Sequence, residues 1–272
     1  SQIRIVMSSH IHKTALVDAK AHLGERVRVG PFAIIEAGAV LGDDCVVEAH
    51  AIVKASARLG NEVSVGHFSV IGGNPQHLSF EPDTPSLIEV GSKVRIGEGV
   101  TVHRSMYEHS KTVIGDSSFL MGSSHVAHDC SLGRSVVLAN GALLGGHVTL
   151  CDHVFIGGGA GVHQFVRIGE GVMVGGLAEI SADVAPQVMV AGRNRTRGLN
   201  LVGLRRRKVS KPEISELKKL YRSFLMKPGN LSERAKEFLK NDSLLTSQTA
   251  REFVEFFLDG DRGFARSEQA KG

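Results

Sequence analysis

Thirteen histidines are spread along the chain, and those that could do chemistry fall in three short strings: HVAHDC at 125–130, GGHV at 145–148 and GVHQ at 161–164. An imidazole titrates near neutral pH, so His128, His147 or His163 could accept a proton during a reaction, with His125 close beside the first of them. Asp129 directly follows His128, which suits an acid/base pair in which a carboxylate orients the ring. Adjacent side chains on a straight strand point to opposite faces, so this pairing requires a turn between the two residues. Two other readings of the same histidines stay open. Three imidazoles around one open position form the ligand set of a catalytic zinc ion, and histidines on an outward face can be plain surface. Cys45, Cys130 and Cys151 make neither a disulfide framework nor a paired metal-ligand spacing, which suits a reduced, cytoplasmic setting.

What must position these residues is a period of six. From Ile11 every sixth residue is aliphatic through Val17, Leu23, Val29 and onward to Ile71; the pattern resumes at Val90, Ile96 and Val102 and runs unbroken from Ile114 to Ile180. Glycine follows the aliphatic residue in 14 of these 26 hexads, and the residue four places after it is nearly always Ala, Val, Ser or Cys. A helix needs a period of 3.6 and a simple sheet a period of two, so a period of six with glycine punctuation implies short strands joined by tight turns and stacked as a solenoid. Small interior residues and turn glycines account for a composition of 32 Gly, no Trp and 5% aromatics. If one coil takes 18 residues, Val126, Leu144 and Val162 stack, and the hexads they open each supply one histidine. At one strand spacing of ~4.8 Å per coil, neighbouring imidazoles then lie roughly 5–10 Å apart. The hexads lapse over 73–89, a stretch with three prolines, and over 103–113. Loops ejected from a rigid solenoid commonly carry function; the interrupted hexad at Glu108 is in phase with Val126, so the second loop is expected one coil below His128.

After about residue 190 the repeat stops. Ser210 and Glu213 read as a capping box, followed by Ile214, Leu217, Leu220, Tyr221 and Phe224 at helical spacing and an end at Pro228–Gly229. Segments around 231–239 and 250–258 look similar. The expected organisation is a β-solenoid domain over 1–190 and a helical domain over 191–272. Their charges differ: the first holds 13 Lys+Arg against 18 Asp+Glu and the second 19 against 10. Arg193, Arg195, Arg197, Arg205, Arg206, Arg207 and Lys208 fall within 16 residues containing no acid, which calls for an anionic partner. Without an interleaved aromatic platform or a binding motif, nucleic acid is not that partner. Phosphorylated small molecules or an acidic protein fit better. No apolar run reaches the ~18–20 residues of a membrane span, and the start lacks the apolar core of a signal peptide.

The repeat itself resembles the hexapeptide-repeat acyltransferase superfamily, which implies a left-handed parallel β-helix and a homotrimer with sites in the clefts between chains. The strings HVAHDCSLG (125–133), LLGGHV (143–148), GVHQF (161–165), VMVGG (172–176) and GLNLVGLRRR (198–207), with the helical tail, narrow this to the UDP-N-acetylglucosamine acyltransferases, the first enzymes of lipid A synthesis. The resemblance covers most of the chain. It implies transfer of an R-3-hydroxyacyl group from acyl carrier protein to the 3-position of UDP-N-acetylglucosamine. His128 is then the general base, Asp129 its orienting partner, and the Gly146 N–H an oxyanion donor, with direct transfer and no covalent enzyme intermediate. It further implies sugar-nucleotide or donor contacts from Gln76, His77, His125, His147, His163 and Gln164, and nucleotide or phosphopantetheine contacts from Asn200, Arg206 and Arg207. Met173 and Gly176 fall at the acyl-chain ruler. No metal or other cofactor is implied, since phosphopantetheine arrives on the carrier protein, whose acidity suits the basic tail.

Two departures bear on substrate. Where many relatives carry Gln-Asp-Leu-Lys, this chain has Gln76-His77-Leu78-Ser79, losing a carboxylate and an ammonium, so an acceptor with a 3-amino group is an alternative. Val202 stands where a family glutamate touches the nucleotide. Further alternatives are the N-acyltransferase of the same pathway, whose separate uridine-binding domain has no room before Ile11, a zinc hydratase, and a non-catalytic trimeric scaffold.

Overall fold

A computed structural model describes residues 9–240 and 245–268. Each hexad forms a strand of two to four residues followed by a turn, and three hexads complete a coil. Among the described residues the strands form three sheets of 11, nine and eight strands, in which each strand pairs in parallel with the one three elements later except at the C-terminal end of the 11-stranded sheet. Arg28 lies on Val46 and Val46 on Ser64, one 18-residue coil apart each time. The pairing passes through Val126, Leu144 and Val162 in the nine-stranded sheet, as the period requires.

Two side chains of each hexad point inward. Beyond the first coil, where Ile11 is exposed, the aliphatic residue and the small residue four places on are both buried, as with Leu41 and Cys45, Leu132 and Val136, or Ile156 and Ala160. Where the small residue is polar, its hydroxyl is usually satisfied by a turn of the next coil: Ser69 Oγ donates to the Gly97 carbonyl at 2.7 Å. Aromatic rings are absent from this described interior; the fully buried ones, Phe224, Phe253 and Phe257, lie in the helical part. The glycines after the aliphatic positions serve close approach of coils. At Gly133 an added Cβ would stand 2.7 Å from the Asp152 amide nitrogen. Left-handed backbone occurs instead two residues later, mostly at non-glycine residues such as Asp44, Glu62 and Asp129. The turn strain therefore falls on the third residue of the turn rather than on its glycine, contrary to the simplest reading of the repeat.

The interruptions are shorter than the sequence pattern implies. Leu87–Val90 and Lys111–Ile114 are strands paired with one another, so the ejected segments are 74–86 and 104–110. The second does emerge one coil below His128, but the residue beneath Val126 is Val102, not Glu108, because the coil spacing widens to 24 residues there. At the other end, Val188–Ala191 still belongs to the 11-stranded sheet and Arg195–Leu199 closes it antiparallel. The expected boundary at 190 thus lies inside a strand. Helix α1 (Leu201–Arg206) follows, unforeseen because six residues are too few to show a period.

Helix α2 (Lys211–Leu225) begins at the capping box expected of Ser210 and Glu213. With α3 (Leu231–Leu239) and α4 (Gln248–Glu255) it encloses Phe224, which stacks on Phe257 at 5.0 Å between ring centroids. Arg167 ties this part to the solenoid: its Nε donates to buried Asp183 at 2.8 Å and its Nη2 to the carbonyls of Phe256 and Asp259. No described helix is long and apolar enough to cross a membrane. The interior predicts its own sensitivity: Leu138→Ala, at a fully buried site, should lower the unfolding free energy by ~2–5 kcal/mol. Urea titration measures this, and a loss below ~1 kcal/mol would contradict a closely packed interior.

Candidate active site

The corner between the nine- and eight-stranded sheets stacks the residues 127–130, 145–148 and 163–166 as successive turns. His128 is the second residue after its aliphatic position, and the equivalent residue one coil on is Gly146. Lacking a side chain there, the next turn leaves space into which the imidazole lies. A Cβ on Gly146 would come within 2.7 Å of His128 Cε1 and 2.8 Å of Nε2. The third position of the turn carries Asp129, His147 and Phe165 in succession, all with left-handed backbone. At Asp129, φ of 60° supplies the turn that brings the carboxylate to the same side as its neighbour's ring. His128 Nδ1 stands 2.8 Å from Asp129 Oδ2.

Asp129 is itself held from three directions. Buried Ser105 donates its hydroxyl to Oδ1, the Met106 N–H donates to Oδ2 at 3.2 Å, and the Asp129 N–H donates to Thr112 Oγ1 at 2.8 Å. A carboxylate so arranged accepts, so Nδ1 of His128 carries a proton and Nε2 presents its lone pair. His147 packs edge-on against His128 with centroids 5.2 Å apart and stacks flat on Phe165 at 4.4 Å. His77, from the first ejected loop, meets the other edge of the His128 ring at 5.9 Å.

A cleft of about 590 Å³ opens in front of this corner. It is lined by Gln76, His77, His125, His128, Gly146, His163 and Gln164, so seven of the fourteen site residues expected from sequence are brought together within one chain. Leu143 and Gly161 give it an apolar floor on the nine-stranded sheet, and Glu179 with Arg193 close one end. His147 and Asp129 stand behind His128. The Gly146 N–H donates to no described acceptor, whereas the amides on either side of it pair with Val162 and His128 carbonyls. It is free for a ligand oxygen.

The other expected residues stand apart from the His128–His147 pair in the single chain. His163 does not stack with His128 and His147, because it is the first residue of its turn rather than the second or third; its Nδ1 faces Arg262 Nη2 at 2.6 Å. Asn200 is the N-cap of α1, accepting from the Gly203 N–H at 2.9 Å and donating to the Gly171 carbonyl at 2.9 Å, so both ends of its amide are engaged. Arg207 donates to Gln187 Oε1 and is half-buried beside Gly171. Of this group only Arg206 is exposed, and all three lie at a different corner from His128. Met173 belongs to the 11-stranded sheet and Gly176 to the turn on the far edge of the nine-stranded one. Neither lines the cleft of the same chain.

Sequence reasoning also missed partners that only the fold assembles. His103 is buried with its ring edge-on to His125 at 4.9 Å, and Thr101 Oγ1 bonds His125 Nδ1 at 2.7 Å. Both come from one coil below, where the lapse of the hexads concealed their register. Burial, then the fields of His125 and His128, push the His103 pKa down to about 4. Burial and His128 also lower His125; burial lowers His147, against the pull of Asp129. These neighbours therefore resist taking a second positive charge beside His128. As for a metal, ligand atoms of His128, Asp129 and His147 all lie within 4.8 Å of one another. Asp129 already spends both oxygens on His128, Ser105 and Met106, and the third imidazole of the zinc reading, His163, is not in the group. A zinc ion would have to break the bonds that orient the ring.

A family model for the bacterial transferase hexapeptide repeat matches residues 111–146, and one for UDP-N-acetylglucosamine O-acyltransferase domain 2 matches 183–265. The acyl-carrier-protein-dependent UDP-N-acetylglucosamine O-acyltransferase of Paraburkholderia phymatum is 36% identical over 95% of this chain and 100% of its own length. This chain belongs to the UDP-N-acetylglucosamine O-acyltransferase family. Solved acyltransferases of the family agree: that of Campylobacter jejuni matches with a TM-score of 0.88 at 32% identity, covering 95% of this chain and all of its own, and that of Arabidopsis with 0.82 at 31%, covering 94% and 100%. The fold is accordingly the left-handed parallel β-helix with C-terminal helices that the family resemblance implied.

Two outcomes follow for this acyltransferase site. Gly146 does not use left-handed backbone, so Gly146→Ala should fold normally while its methyl displaces the His128 ring; turnover is expected to fall ~10²-fold or more with an unchanged melting temperature. Steady-state kinetics with a melting curve checks both. His103, with its folded pKa pushed from 6.5 to about 4, takes up a proton more readily when unfolded between those values. Stability present above pH 6.5 should therefore be lost as pH falls towards about 4, and His103→Gln should flatten that dependence in matched denaturant titrations.

Proposed function

We propose that this chain transfers an R-3-hydroxyacyl group from acyl carrier protein to the 3-position of UDP-N-acetylglucosamine, the opening step of lipid A synthesis. The observation that carries the mechanism is the His128–Asp129 pair, 2.8 Å apart, with Nε2 directed away from the carboxylate towards the cleft. Nε2 removes the proton of the sugar hydroxyl as its oxygen attacks the thioester carbonyl. Negative charge then grows on the carbonyl oxygen, which the free Gly146 N–H faces as donor, a type of contact often worth ~10²–10³ in rate. When the carbon–sulfur bond breaks, the imidazolium returns its proton to the departing phosphopantetheine thiolate, leaving an ester and the free carrier. Asp129 stabilises the imidazolium between the two steps. Cys130 is no nucleophile for this reaction: it is buried, and burial pushes its thiol up to about 12.

Partners and assembly belong to the same reading. Among described residues Arg197, Arg205, Arg206 and Lys208 form no ion pair, leaving charge for an acidic carrier and for phosphate oxygens. A homotrimer is supported by the exposed apolar column on the corner opposite the cleft, where Phe32, His50 and Phe68 stack at 5.1–5.2 Å and Leu177 protrudes. Packing of that kind would bring a neighbour's Met173, Gly176 and Arg206 towards the cleft, which one chain cannot do alone. The cytoplasm, where acyl carrier protein and nucleotide sugars occur, is the compartment this chemistry requires.

Mass spectrometry of products from mixed acyl carrier donors, offered both the 3-hydroxyl and the 3-amino sugar nucleotide, tests the reading. An acylated UDP-sugar is expected, and His128→Ala should reduce its formation ~10²–10⁴-fold without altering oligomeric state. Unimpaired turnover by that variant would remove His128 as the base. Preferential amide formation would assign the 3-amino acceptor.

A further inference from the structure

One buried cation joins the first ejected loop to the catalytic pair, and the mechanism above makes no use of it. Arg104 is 9% exposed, and among the described residues no carboxylate is its partner. Its Nε donates to Asn74 Oδ1 at 3.0 Å, Nη1 to the Thr84 carbonyl and to Ser86 Oγ at 3.1 Å, and Nη2 to the Pro82 carbonyl at 2.6 Å. The Phe80 ring lies 5.0 Å from the guanidinium carbon, and the Arg104 N–H donates to the Gly73 carbonyl at 2.9 Å. The side chain thus touches the segment 74–86 at its start, middle and end. Burying a cation against neutral acceptors costs free energy unless its donors are well satisfied, and only a planar fork reaches acceptors spread this widely. The residue after it, Ser105, donates to Asp129, while Ser86 donates to the Ser105 carbonyl. Two successive residues therefore fix the loop with one hand and the carboxylate behind His128 with the other.

We propose that Arg104 is a positioning residue that clamps segment 74–86, so that His77 closes the acceptor side of the cleft against His128. The inference rests on the acyl-transfer reading, and it assigns Arg104 to capture of the sugar nucleotide rather than to the chemical step or to the donor. Arg104 acts through His77, whose ring stands 5.9 Å from that of His128. Lysine cannot substitute, because a single ammonium cannot span Asn74, Thr84, Ser86 and Pro82 together.

The test combines kinetics with hydrogen exchange on the full chain. Arg104→Ala should raise KM for the UDP-sugar about tenfold and leave KM for the acyl donor within about twofold, and Arg104→Lys should behave as the alanine variant does. On a His77→Ala background the same replacement should cost no more than about twofold, since a residue acting through His77 has nothing left to position. Amides of 74–86 should exchange at least about tenfold faster in Arg104→Ala, with the strands of the solenoid unchanged. Independent, multiplying effects of Arg104→Ala and His77→Ala, or unaltered exchange of the loop, would overturn the proposal. Should Arg104→Ala not fold, Asn74→Ala removes one acceptor only and should give the same acceptor-side KM change in smaller measure; no change in either KM or loop exchange overturns it equally. Absence of acyl transfer by the unvaried protein would instead sink the acyl-transfer reading, while the exchange measurement would still judge the clamp.

Discussion

Everything in this molecule depends on successive coils approaching to one strand spacing, which is possible only because one of the two inward side chains per hexad is small. Leucine, isoleucine or valine fills the middle of each side, and alanine, valine, serine or cysteine lets the corner close. No coil could bury its aliphatic row alone, so stability comes from stacking and is distributed along the solenoid. The glycines after the aliphatic positions serve the same constraint, since a Cβ at Gly133 would meet the next coil's backbone.

The same constraint builds the site. At a corner where turns repeat every ~4.8 Å, rings in the third column stack flat on one another, whereas the second-column ring of His128 lies across the next turn and needs a residue without a side chain there. His128 lies over Gly146 for this reason, and His147 is displaced into the adjacent column, where it stacks on Phe165. Left-handed backbone at Asp129 sets the carboxylate beside the ring, and Ser105 with Met106 pins it from the coil below. Acid/base geometry is thus a by-product of rigid coil stacking, and the two ejected loops add what the solenoid lacks: a carboxylate anchor from 104–110 and an acceptor-side wall from 74–86.

Electrostatics agree with that division of labour. Around His128, the imidazoles of His103, His125 and His147 are all held towards neutrality, chiefly by burial. Three neighbouring imidazoles that resist protonation favour proton transfer at the ring paired with a carboxylate. The helical part is tied to the solenoid by Arg167 of the solenoid and by Arg262, which faces His163 beside the cleft, and it carries Arg205 and Arg206, which form no ion pair among the described residues.

The six-residue period determined the solenoid, and the capping box with helical spacing after Ser210 determined the helical part; the 18-residue coil that stacks Val126, Leu144 and Val162 was implied by the family resemblance and is present in the wound chain. The family resemblance singled out His128, Asp129, Gly146, Gln76 and His77, which the wound chain gathers around one cleft. What the stacking of hexads alone did not fix was which rings touch: His128, His147 and His163 occupy three different columns, and only two of them meet. Nor could it foresee that Asn200 and Arg207 would be consumed in capping α1 and bonding Gln187, since those partners are distant in sequence. Register was concealed where the loops widen a coil to 24 or 31 residues, and there Thr101, His103, Arg104 and Ser105 acquired their roles. Their partners come from segment 74–86 and from the coil that holds His125 and Asp129, which only the wound chain brings together.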